Sequence, residues 1–134
     1  MKSTNIIPVV LIAFTCLATN VQEQANIPGG ISIAIKAGNA SELSKYMNST
    51  IELLLLDKED FYKKNVAETI LKDFFTEYRT KDFTIRHQSA KNDTQYAIGN
   101  LKTEKGDFRV FFFLKKVDQE LLIHKISIES DNGK

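Results

Sequence analysis

Apolar residues recur along this chain with two different periods, and the change of period separates helical from extended segments. Ile31, Ala34 and Ile35 have helical spacing, and Gly38 ends that segment. Asn39 followed by Glu42 forms an Asn-x-x-Glu capping box, which opens a second short helix with Leu43, Tyr46 and Met47 on one face. Residues 51–56 are β-branched and leucine-rich and predict a strand, 57–60 a charged turn, and 61–63 a short extended piece. The strongest helical stripe covers 66–78: Val66, Ala67, Ile70, Leu71, Phe74, Phe75 and Tyr78 fall on one side, while Glu68, Lys72, Asp73, Thr76 and Glu77 fall on the other. Asn65 is the expected N-cap, with Glu68 three residues on.

Beyond Tyr78 the period drops to two. Strands are predicted over 83–90, 95–104, 107–116 and 120–130, joined by short turn-rich connections at 91–94, 105–106 and 117–119 that make antiparallel hairpins. The whole pattern predicts an α+β fold, with N-terminal helices and one central helix packed on a curved antiparallel sheet.

The first eighteen residues have a different character. Lys2 is their only charge and is followed by an apolar run through Phe14, the layout of a secretory signal peptide cut after Ala18. The apolar stretch 6–18 is shorter than the roughly 20 residues a bilayer-spanning helix needs, so no stable membrane span is expected. A lipoprotein reading would acylate Cys16, but Ala13-Phe14-Thr15 makes a poor lipobox. The expected organisation is a signal peptide at 1–18, a linker at 19–30 and one domain at 31–130 of an exported protein, periplasmic or secreted. Removal of 1–18 takes away the only cysteine, and with it any disulfide, thiol nucleophile or cysteine-based metal site. The formal net charge of +1 over 134 residues gives no overall attraction to nucleic acid.

The ordered set Ile33 to Met47, Leu55-Leu56-Asp57-Lys58-Glu59-Asp60, Ile70-Leu71-Lys72-Asp73-Phe74-Phe75, Tyr96-Ala97-Ile98-Gly99 and Leu122-Ile123-His124 resembles a bacterial family of small secreted domains, domain of unknown function 4783. More broadly, the helix–strand–helix–four-strand order resembles the nuclear-transport-factor-2-like (cystatin-like) superfamily. There the usual motif has an aspartate where this chain has Asn39, and either side chain can cap the second helix. The resemblance implies a half-open cone whose concave face holds the helices and often a pocket, used by relatives as enzymes, binders or inert scaffolds. It implies no particular reaction. Because the resembling family is bacterial, the sequons at Asn39, Asn48 and Asn92 are read as chance features of turns rather than glycan acceptors.

Strict alternation puts Phe83, Ile85, His87 and Ser89 on one face of their strand, and Leu122, His124, Ile126 and Ile128 on one face of theirs. The expected lining of the cone is therefore Tyr46, Phe74, Tyr78, Ile85, His87, Ile98, Phe112 and His124, suited to a small apolar or amphipathic ligand. The strands of the two histidines should lie three steps apart, roughly 14 Å, whereas a metal–histidine bond is about 2 Å. Neither histidine has a carboxylate on its own face within two residues. The chain also contains no His-Glu-x-x-His, Gly-x-Ser-x-Gly or phosphate-loop motif. No catalytic residue, metal or cofactor is assigned, and the enzymatic alternative is a small isomerase or hydrolase using a pocket histidine as base. Phe111 and Phe113 alternate with Phe108, Val110, Phe112 and Leu114, so this strand is apolar on both faces. Helices cover only the concave side, which leaves Phe111, Phe113 and the neighbouring Arg109 as the expected interface of a homodimer. The functional expectation is a non-catalytic binder of a small ligand or a protein partner, with an inert dimeric scaffold as the further alternative.

Overall fold

The structure is a computed structural model describing residues 25–132; the expected signal peptide, Cys16 and residues 19–24 of the linker lie outside the described residues. The element order is α1 (Gly29–Ala37), α2 (Ala40–Ser44), β1 (Met47–Leu55), β2 (Lys58–Lys63), α3 (Lys64–Glu77), β3 (Thr80–Lys91), β4 (Thr94–Thr103), β5 (Gly106–Val117) and β6 (Glu120–Ser130). The six strands form one sheet in the order β2-β1-β6-β5-β4-β3. All neighbouring pairs are antiparallel except β1 and β6, which run parallel. That parallel contact joins the two ends of the domain, which is why a reading of local hairpins does not reveal it.

Local chemistry explains most element ends. Gly38 closes α1 in the left-handed conformation (φ 65°), and its N–H bonds back into the last turn. The Asn39 Oδ1 accepts from the Glu42 N–H at 3.0 Å, so the capping asparagine does what its position predicts. Asn65 does not cap α3. The strand β2 runs directly into the helix, which starts at Lys64 without a side-chain cap, and Asn65 is already inside the first turn. Of the predicted charged turn only Asp57 turns, together with Leu56 from the end of the predicted strand, and 58–60 extend as part of β2.

The helices cover one face of the sheet: α1 packs on β3, and α3 packs on α2, β1 and β2. Between them lies a single core containing Ile31, Leu43, Ile51, Leu71, Phe74, Phe75, Phe83, Phe108, Phe112 and Ile126. Phe112 is fully buried at its centre. Phe74, Tyr78 and Phe108 pack ring to ring at 4.9–5.2 Å, which fastens the C-terminal end of α3 to the sheet.

Candidate functional site

Two of the sheet's register shifts decide which face the histidine-bearing stretches of β3 and β6 present. In β3, Ile85 pairs with Gly99 and His87 with Ile98, leaving Arg86 as an extra residue. In β6, Ile123 pairs with Leu114 and Lys125 with Phe113, leaving His124 as the extra residue. Each β-bulge inverts the alternation beyond it. His87 therefore shares a face with Ile98 and not with Ile85, correcting the alternation read from sequence. The buried face of β6 carries Ile123, Ile126 and Ile128, while Leu122, Lys125, Ser127 and Glu129 take the other face, so the predicted grouping of Leu122 with Ile126 and Ile128 is corrected as well.

The eight residues expected to line the cone are consequently divided. Phe74 and Phe112 are core residues, and Tyr46, Tyr78 and Ile85 are half-buried against the same core. Tyr46 sits between α2 and β1 with its ring against the Gly30 backbone, where a Cβ would collide with it. Tyr78 rests on Phe74 and Phe108, and the Lys105 ammonium lies 5.9 Å from its ring centre. His87 and Ile98 lie on the convex face. His124 sits in the β6 bulge, and its Nδ1 hydrogen-bonds the Leu122 carbonyl oxygen at 2.9 Å. On the helix side, an apolar cleft of about 120 Å³ opens beside Leu53, Leu55, Lys58, Tyr62 and Ile70, none of which belongs to the eight residues expected to line the cone.

The convex face carries its side chains in rows across the strands. One row runs Glu59, Leu54, Ser127, Phe111, Ile98, His87, and the next runs Phe61, Glu52, Lys125, Phe113, Tyr96, Ser89. Phe111 and Phe113 face outward as alternation predicts, because β5 itself contains no extra residue. Leu54, Ile98 and Phe111, with Arg109, Lys125, Ser127 and Glu129, line a trough of about 380 Å³. His87 Nε2 lies 3.2 Å from the Tyr96 hydroxyl, and the Tyr96 ring lies 6.0 Å from Phe111, so an aromatic chain runs across three strands. Phe61, on the edge strand β2, is 67% exposed and extends this face.

Charges flank the apolar band on both sides. Arg109 pairs with Glu129 at 3.3 Å. Lys125 bridges Glu52 and Glu59 at 3.5 Å each. Glu52 and Glu59 share a hydrogen bond that, with partial burial, holds the Glu52 carboxyl above the usual carboxylate range. The same hydrogen bond, helped by the Lys125 ammonium, holds Glu59 below it. Leu54, Glu52, Glu59, Lys125 and Ser127 are not among the interface residues expected from sequence. Only the parallel β1–β6 register brings them beside Phe111. No group of three or more metal-ligating side chains occurs among the described residues. No described helix is long and apolar enough to cross a membrane.

Comparison with known proteins places this arrangement in context. Residues 29–129 match the family described as Domain of unknown function (DUF4783). The chain is similar to the crystal structure of a DUF4783 family protein from Bacteroides ovatus, with 38% identity, a TM-score of 0.77, and coverage of 79% of this chain and 96% of that one. A second similar structure, a DUF4783 family protein from Bacteroides uniformis, has 34% identity, a TM-score of 0.77, and coverage of 80% and 99%. A Streptomyces avermitilis protein from the NTF2-like family shares the fold at 8% identity, with a TM-score of 0.57 and coverage of 76% and 88%. No functionally curated protein matches the chain.

Proposed function

This chain belongs to the DUF4783 family and has the nuclear-transport-factor-2-like fold, and from that premise we propose that it is an exported, non-catalytic interaction module that pairs with a second copy of itself through the convex face of its sheet. The observation that carries this reading is the outward apolar band Leu54–Phe111–Ile98, extended by Phe113 and Tyr96, on the face that no described helix covers. An apolar sheet face of this kind is stabilised when another surface removes it from water. A second copy suits it because each flank carries both signs, Arg109 with Glu129 on one side and Lys125 with Glu52 and Glu59 on the other, so a two-fold axis through the trough brings no single-sign charged edge onto another.

The histidines support a binding role over acid–base chemistry. The Nε2 of His87 contacts a tyrosine hydroxyl, and the Nδ1 of His124 is engaged by a carbonyl of its own strand, so neither has the carboxylate partner that would orient a general base. A second reading, binding of a small apolar or amphipathic ligand, is favoured by the cleft beside Tyr62 and Ile70, whose apolar wall has Lys58 at its edge. The self-association reading is tested by sedimentation of the full chain beside a Phe111→Lys variant. The expected result is a dimer at high micromolar concentration that becomes a monomer on substitution, with an unchanged far-UV spectrum. A wild-type chain that stays monomeric at that concentration overturns the reading.

A further inference from the structure

A second cavity, of opposite chemistry, lies at the end of the sheet where the β3–β4 and β5–β6 hairpins turn. It measures about 430 Å³, and its walls include Asn92, Asp93, Gln95, Gln119, Glu120 and Tyr46. Four separate segments build it, and hydrogen bonds tie them together. The Asn26 N–H donates to Gln95 Oε1 at 2.7 Å, which holds the segment leading into α1 against β4. The Lys116 N–H donates to the Asp93 carbonyl at 2.9 Å, which joins the two hairpin tips, and the Ile123 N–H donates to the Tyr46 carbonyl at 2.7 Å. The groove is thus formed in advance of any ligand.

Its size falls within the range of small-molecule sites, but such sites are mostly apolar, and most of the residues lining this one bear an amide or a carboxylate. An amide offers donors and an acceptor within one plane, and a carboxylate offers paired acceptors. A ligand dense in hydroxyl groups, each both donor and acceptor, matches that inventory. Lys116 partly offsets Asp93 and Glu120, so the groove has no strong charge of one sign with which to hold a polyion. Tyr46 and Pro28 add flat apolar surface for the carbon-bound face of such a ligand.

The backbone is consistent with this reading. Among the described residues, four non-glycine positions have positive φ, and three of them form these two turns: Asn92 (55°), Asp118 (48°) and Gln119 (72°). Asparagine and aspartate tolerate the left-handed region, whereas at Gln119 it costs roughly 1–2 kcal/mol that glycine would avoid. Asn92 and Gln119 nonetheless place amides in the groove wall.

We propose that this groove binds a neutral saccharide of one or two rings, through the amides of Asn92, Gln95 and Gln119 and the carboxylates of Asp93 and Glu120. The site is separate from the convex face, and its failure would leave the self-association reading untouched. The test is amide-resolved NMR of the full chain titrated with cellobiose, maltose and N-acetylglucosamine, with glycerol as the control polyol. The expected result is a saturable shift with at least one sugar at Asn26, Asn92, Gln95 and Gln119, with none at Gly106, which starts β5 at the opposite end of the sheet. The double variant Asn92→Gly/Gln119→Gly keeps both left-handed turns while deleting two amides. It should stay folded with an unchanged or higher melting temperature and bind about tenfold more weakly, the effect of roughly 1.4 kcal/mol. Absence of a saturable shift with all three sugars, equal shifts with glycerol, shifts centred elsewhere, or a double variant that binds like the wild type would each overturn the proposal.

Discussion

Gly99→Ala is a single added carbon whose effect the structure specifies. Gly99 lies in the middle of β4, paired with Ile85 on one side and Val110 on the other, on the core-facing side of the sheet. A Cβ there would sit 2.6 Å from Phe83 Cε2 and Cζ, and 2.7 Å from the Thr84 carbonyl oxygen. The Phe83 ring belongs to the core and has little room to retreat. The carbonyl is backbone in the β3–β4 pairing and can withdraw only by disturbing that register. Over-packing of this kind costs about 1–3 kcal/mol. Removing glycine from a strand returns roughly 0.5–1 kcal/mol. The net expectation is a loss of about 1–2 kcal/mol, which for a domain of this size lowers Tm by roughly 5–15 °C. Thermal and urea unfolding followed by far-UV circular dichroism measure it. Phe83→Leu removes the ring but leaves the carbonyl, so alanine at position 99 should cost less in that background, by about 1 kcal/mol of coupling. A Gly99→Ala protein as stable as wild type, or equal costs in both backgrounds, would refute the reasoning.

Other perturbations have equally definite signs. Asn39→Ala removes the only side-chain cap of the five-residue α2 and should cost about 1 kcal/mol in urea unfolding, while Asn39→Asp should retain most of the stability. Leu56 turns the β1–β2 hairpin at φ 56°, so Leu56→Gly should raise Tm by a few degrees, roughly 1 kcal/mol of relieved backbone strain less the contact of a partly exposed side chain. Glu52 has a raised pKa, so its stabilising contribution is present while it is protonated and is lost as pH rises through that value. Glu59 has a lowered pKa, so its contribution is present once it is ionised and is lost as pH falls through that value. Urea midpoints measured against pH should therefore show Glu52→Gln losing the decline on the way to neutral pH while keeping the fall at strongly acid pH. Lys125→Gln should move both carboxyl titrations upward in carbon-detected NMR, because the lost ammonium lowers both.

Much of this fold is legible in the chain because its causes are local. The α3 stripe from Ala67 to Phe75 follows the helical period, and each of its buried members belongs to that predicted side. Gly38 and Asn39 end one helix and start the next through their own backbone and side-chain chemistry. The three β3–β6 hairpins follow from turn-forming residues between alternating runs. Phe111 and Phe113 face away from Phe112 because alternation within β5 is unbroken, so the outward apolar face could be read directly.

The rest depended on where strands meet. One extra residue at Arg86 and another at His124 reverse the faces beyond them, and nothing in the local composition marks either position. His87 consequently left the lining expected of it, and His124 became the unpaired residue of the β6 bulge. The convex trough, with Leu54 and the Glu52–Glu59–Lys125 cluster, exists because β1 pairs in parallel with β6, across most of the domain's length in sequence. Period, caps and turns are written into neighbouring residues, so the sequence by itself determined the elements and their order. Register is set by the packing of whole strands against one another and against α1 and α3, so only the tertiary structure decided which side chains share a surface.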